Sequence, residues 1–102
     1  MALQWLGDDV TDWPDVTEAQ QERDGLVAVG GDLSVERLLA AYQRGIFPWY
    51  SEDQPICWWA LSPRMVLKPE NLHVGRSLVK NIRNRHYAIS VNQQFSAVIN
   101  AC

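Results

Sequence analysis

Apolar positions along this chain fall into short runs whose spacing changes from region to region. Val35, Leu38, Leu39 and Tyr42 recur at helical spacing. Ser34 ahead of them is a good N-cap, Glu36 sits where the helix dipole favours an anion, and Gly45 follows as a C′ residue. A helix is therefore predicted over about Val35 to Arg44. Before it, Gly25-Leu26-Val27-Ala28-Val29 is a short apolar run closed by Gly30-Gly31-Asp32, two glycines that permit a tight turn. After it, Ile46 to Tyr50 is aromatic and broken by Pro48, so it is not helical. Ser51 to Pro55 reads as a polar turn and Ile56-Cys57-Trp58-Trp59 as a short strand.

Ser62-Pro63 breaks the pattern, and a domain boundary is placed there. Beyond it, Arg64 to Lys68 is a strand candidate stopped by Pro69, and Leu72 to Arg85 has a helical pattern that Gly75 weakens by roughly 1 kcal/mol. Tyr87 to Val91 alternates like a strand. Asn92 is placed to cap a last helix carrying Phe95, Val98, Ile99 and Cys102 on one side. Strand, helix, strand, helix is half of a larger sheet domain, because two strands cannot cover the apolar faces of both helices. The last helix stops in mid-pattern, so the chain is expected to be truncated at Cys102.

Composition narrows the class. The 102 residues are 47% hydrophobic and 21% charged, which argues against wholesale disorder. No apolar run reaches the ~18–20 residues of a membrane span, and the opening MALQWLGDDV lacks the basic and apolar regions of a signal peptide. Cys57 and Cys102 are too few for a disulfide framework, and a reducing cytoplasm is the simplest compartment. The net charge of -3 hides a split. Seven of the twelve acidic residues lie in the first 24 positions, a stretch expected to be irregular and partly mobile. No acidic residue follows Glu70, while Arg76, Lys80, Arg83 and Arg85 do.

Few motifs carry chemistry. Gly30-Gly31-Asp32 is not a phosphate loop, since no Lys-Ser/Thr follows and no GxGxxG is present. His73 and His86 have no partner at metal spacing, no serine sits in a nucleophile elbow, and Glu52-Asp53 lies in a polar turn. No self-contained catalytic centre is legible. Two features remain. One is the block Ala41-Tyr42-Gln43-Arg44-Gly45-Ile46-Phe47-Pro48-Trp49-Tyr50 with Trp58-Trp59. Neighbouring residues of a strand face opposite sides, so both tryptophans cannot enter one core, and an exposed ring can stack a nucleobase for about 1–3 kcal/mol. The other is the helix face of Arg76, Lys80 and Arg83, a row about 10 Å long suited to successive phosphates, with Arg85 beyond. A local RNA contact fits an acidic chain better than a general duplex binder.

The stretch Gly25 to Ser34, Arg37-Leu38-Leu39, AYQRGIFPWY at 41–50, Trp58-Trp59, Ser62-Pro63-Arg64, Leu72-His73-Val74 and Arg76-Ser77-Leu78 resembles the leucyl/phenylalanyl-tRNA–protein transferases. The resemblance runs from Gly25 to Cys102 and leaves the acidic head outside. It implies an α+β chain: a small N-terminal α/β domain (1–62), then the opening strand-helix-strand-helix of a GNAT-like acyltransferase domain (63–102). The implied function is transfer of Leu or Phe from aminoacyl-tRNA to the N-terminal Arg or Lys of proteins, marking them for degradation in the bacterial cytoplasm. The implied partners are Leu-tRNA, Phe-tRNA and acceptor proteins with those termini, with no cofactor, metal, DNA or membrane. Tyr42 and Trp49 are the implied wall for the aminoacyl-adenosine. Arg76, Lys80, Arg83 and Arg85 are the implied tRNA-binding cluster, and Arg64 is structural or supporting. No catalytic residue falls in these 102 residues, and the chain alone is expected to be inactive. The residues by themselves leave open a non-catalytic tRNA- or RNA-binding module, or a structural domain whose aromatics are core.

Overall fold

The unbroken apolar run from Leu26 to Gly30 becomes one of the two inner strands of a four-stranded sheet, as a strand buried on both faces requires. The computed structural model describes residues 3–102, so Met1 and Ala2 of the expected 1–62 domain lie outside the described residues. Its elements are β1 (Gln4–Leu6), α1 (Val16–Glu22), β2 (Leu26–Gly30), α2 (Val35–Tyr42), β3 (Phe47–Pro48), β4 (Cys57–Trp59), a 3-10 turn (Pro69–Asn71), α3 (Arg76–Asn84) and α4 (Phe95–Ala101). The class is mixed α+β. The chain divides into two compact units, the first ending at Met65 and the second Val66–Cys102.

In the first unit the strand order is β1-β2-β4-β3. β1 runs parallel to β2 with Trp5 opposite Val29, and α1 supplies the crossover that a parallel pair needs. β4 is antiparallel to both β2 and β3, with an irregularity in register between Leu26 and Ala28. Ala19, Val27, Ala28, Ala41, Ile46, Trp58 and Ala60 form the core, and Leu6, Trp13, Val16, Leu38 and Ile56 pack against it. Trp58 is fully buried, its ring edge-on to Trp13 at 5.2 Å and its indole N–H bonded to the carbonyl of Gly30 at 2.8 Å.

The acidic head corrects an expectation. It forms β1 and α1 where irregular chain was predicted. Asp15 caps α1 by accepting from the Glu18 amide at 3.0 Å, and Asp15-x-x-Glu18 is the spacing of a capping box, a signal present in the sequence. α2 begins as predicted, with the Ser34 hydroxyl accepting from the Arg37 amide, and ends at Tyr42, ahead of the expected Arg44.

Arg37 is buried on the inner side of α2. It donates to the carbonyl of Gly7 at 2.6 Å and lies 3.5 Å from the Asp32 carboxylate, which ties β1's exit, the β2–α2 turn and the helix together. Gly31 fits this junction for two reasons. Its φ is 77°, and a Cβ would sit 3.0 Å from Arg37 Nε.

The second unit differs more from expectation. Neither Arg64–Lys68, which straddles the end of the first unit at Met65, nor Tyr87–Val91 is a strand. A strand needs a neighbour to satisfy its ladder, and among the described residues no other strand lies in this unit. α3 starts at Arg76 with Gly75 as N-cap, outside the helix interior, so the expected glycine penalty does not arise. α4 is capped by Gln94 with no side-chain bond, while Asn92 sits in the left-handed region at φ 61° in place of its expected capping role. No residue of this unit is buried.

Candidate functional site

Pro48 limits β3 to two residues, and the chain leaves the sheet at Trp49. The Trp49 backbone is held from two directions. Its N–H donates to the carbonyl of Cys57 at 2.9 Å, and its own carbonyl accepts the indole N–H of Trp59 at 2.8 Å. The Trp49 side chain is left 76% exposed. An exposed ring on a fixed backbone is a low-entropy contact surface. Register places Phe47 opposite Trp59, and these two rings with Trp49 and Leu61 line a groove of about 420 Å³. Arg64 borders it, with its guanidinium carbon 4.9 Å from the Phe47 ring centre and Nη1 donating to the Gly45 carbonyl at 3.2 Å.

The expected alternation at Trp58 and Trp59 is observed. Trp58 goes to the core, while Trp59 is half-buried and faces the groove. Of the two residues singled out for the wall, Trp49 lines the groove. Tyr42, 60% exposed at the end of α2, is not among its lining residues. Phe47 and Trp59 belong to the aromatic block picked out in the sequence but were not assigned to the wall, and Leu61 was not singled out. Their signal was the period-two pattern through 57–59, which puts residue 59 on the face opposite Trp58 and beside its partner Phe47.

The groove is chemically plain. Two indoles, a phenyl ring and a leucine offer stacking and apolar contact, and none of them is a general acid, base or nucleophile. Cys57 has its thiol directed at the Pro55 carbonyl at 3.4 Å. Glu52 and Asp53 lie exposed in the turn closed by Gln54, whose amide N–H meets the Ser51 carbonyl. Among the described residues no group of three or more His, Cys, Asp or Glu is placed to hold a metal ion, and no helix is long and apolar enough to cross a membrane.

The second unit carries its own feature. Arg76, Lys80 and Arg83 project from one side of α3 and, with Val74, Val79 and Asn84, line a groove of about 430 Å³. The spacing of four and three residues produces this alignment, because side chains so spaced are neighbours on a helix. Arg85 is the C-cap of α3 and stands outside the groove. His73 and His86 are exposed, His86 with φ 51° just after the helix.

Residues 31–67 match the family model described as the leucyl/phenylalanyl-tRNA protein transferase N-terminal domain. Over 100 residues the chain is 51% identical to the leucyl/phenylalanyl-tRNA–protein transferase of Pseudomonas fluorescens and 52% identical to that of Pseudomonas entomophila. It is 49% identical to that of Ectopseudomonas mendocina. Each alignment takes in 98% of this chain and 44% of the relative, so the chain spans less than half the length of these proteins. The likeness therefore reaches into the acidic head, which the sequence reading left outside it.

Proposed function

The chain is related to the leucyl/phenylalanyl-tRNA–protein transferases over their N-terminal portion, and on that premise we propose that it forms the front part of an aminoacyltransferase. The enzyme moves Leu or Phe from aminoacyl-tRNA to the N-terminal Arg or Lys of an acceptor protein, in the cytoplasm. The acceptor's α-amine attacks the aminoacyl ester carbonyl. A C–N bond forms, the C–O bond to the terminal adenosine breaks, and the amine's proton is shed as the ribose hydroxyl takes one up. The ester is already activated, so holding it in place accounts for much of the rate.

The role of this chain is that holding. Trp49 stacks the terminal adenosine at the aromatic groove, with Tyr42 on the helix end nearby in sequence. Arg76, Lys80, Arg83 and Arg85 meet phosphates of the acceptor stem. Phosphate contacts position without reading sequence, which suits an enzyme that accepts more than one tRNA. The boundary between the N-terminal domain and a GNAT-like domain is assigned at Ser62-Pro63.

The observation that carries this reading is the exposed Trp49 ring on a backbone pinned by Cys57 and Trp59. The test is transfer of labelled leucine from Leu-tRNA to a peptide beginning with Arg, using the enzyme that carries this N-terminal part. Label should enter that peptide and not its N-acetylated form, and Trp49→Ala should reduce kcat/KM by about 5- to 150-fold, the loss of one stacking contact. Binding of tRNA without transfer to either peptide would replace the proposal with a non-catalytic RNA-binding module.

A further inference from the structure

Arg64 has no carboxylate within ion-pair distance among the described residues. Its side chain is nevertheless committed, reaching back nineteen positions in sequence to donate to the Gly45 carbonyl while its guanidinium lies over the Phe47 ring. Those two contacts bracket the segment that feeds the groove. Gly45, at φ 73°, closes the turn after α2, and Phe47 is the wall facing Trp59. A two-residue strand that ends in proline has few ladder bonds of its own, so its outer side chain needs another restraint. A planar guanidinium supplies a hydrogen bond and a ring contact at once, and an ammonium cannot do both in the same geometry.

Resting on the reading of the groove as the aminoacyl-adenosine site, we propose that Arg64 is a positioning residue: it fixes the Phe47 wall, and through it the spacing between Phe47, Trp59 and Trp49 into which a planar base must fit. Arg64 touches neither the substrate nor the ester. Its contribution is to binding, so it belongs in KM, with kcat retained.

The experiment labels the same enzyme with 5-fluorotryptophan and compares wild type with Arg64→Met, Arg64→Lys, Phe47→Leu and the double variant. Arg64→Met should shift or broaden the fluorine resonances of Trp59 and Trp49 and leave those of Trp58 and Trp13 in place, which also reports an intact core. It should raise KM for Leu-tRNA about two- to five-fold, the size of one exposed cation–π contact, with kcat unchanged. Arg64→Lys should recover part of that loss, and Arg64→Met should cost nothing further once Phe47 is Leu. Unchanged Trp49 and Trp59 resonances would overturn the proposal, and so would a loss of affinity that appears only as a smaller salt dependence, the mark of a phosphate contact. The fluorine spectra do not depend on the activity, so wild-type kinetics in Trp49→Ala would remove the substrate assignment and leave the restraint on Phe47 standing.

Discussion

Arg37 is the one buried charged side chain among the described residues, at 1% exposure, and it lies beside Asp32, one of two carboxyls held in their charged form in the first unit. Nη2 reaches the Gly7 carbonyl and Nε lies 3.5 Å from the Asp32 carboxylate, while neither Nε nor Nη1 has a hydrogen-bond partner. Hydrogen bonds from Ser34 hold the Asp32 carboxyl below its ordinary value of 3.8, and the Arg37 charge adds to the effect. Asp9 is lowered too, first by the Thr11 hydroxyl and then by the Thr11 amide. A carboxyl depressed in the folded state adds stability that is fully present above its unfolded pKa and lost as pH falls through the folded one. The urea midpoint of the wild-type chain should therefore be flat from about pH 7 to 5 and decline below about pH 4. In Asp32→Asn the decline should be shallower, and Asp9 contributes in the same direction. Parallel curves for the two proteins would show that Asp32 is not the group sensed.

At the scale of elements, local signals were legible and pairing was not. α2 was readable because Ser34, Glu36 and the apolar spacing all agree within ten residues. β1 was hidden because three residues, Gln4 to Leu6, become a strand only by pairing with Ala28 to Gly30, a partner no local pattern reveals. The reverse error occurred at Arg64–Lys68, an apolar stretch stopped by Pro69, and at Tyr87–Val91, an alternating one, neither of which found a neighbour. The aromatic groove was half legible for the same reason: Trp49 stood out as a type, while Phe47 and Trp59 needed the β3–β4 register. α3 lies on the legible side, and its charge row can be tested. Replacing Arg76, Lys80 and Arg83 with alanine, a better helix former, should lower the slope of log affinity for tRNA against log salt by about 2–3 units, near 0.7–0.9 per cation. Arg85→Ala, at the C-cap beyond the groove, should change it by less than the average of the three. An unchanged slope in the triple variant would remove α3 from the RNA contact.

Across the whole molecule, burial and charge are both divided unevenly along the chain. All the core residues lie before Leu61, with Trp58 packed among residues of β2, α1 and α2. Seven acidic residues precede position 25, and the stretch after Glu70 has none. The second unit has helices of nine and seven residues, no buried side chain, and Leu78, Ile82, Phe95 and Ile99 all exposed. Isolated helices shorter than about 12–15 residues are marginal in water, since most helical stability in proteins comes from packing an apolar face. The two units should therefore differ in hydrogen exchange when this 102-residue chain is studied alone. The amides of Gly30 and Ala60, bonded across the sheet to Ile56 and Gly25, should be protected by a factor set by global unfolding. Those of Val79 and Val98, bonded only within α3 and α4, should exchange within about ten-fold of the rate of unstructured peptide. Equal protection in the two units would mean that the apolar faces of α3 and α4 are covered in solution. The charge row on α3 would then be presented by a fixed helix, and no ordering cost would attach to its first contact with a phosphate backbone.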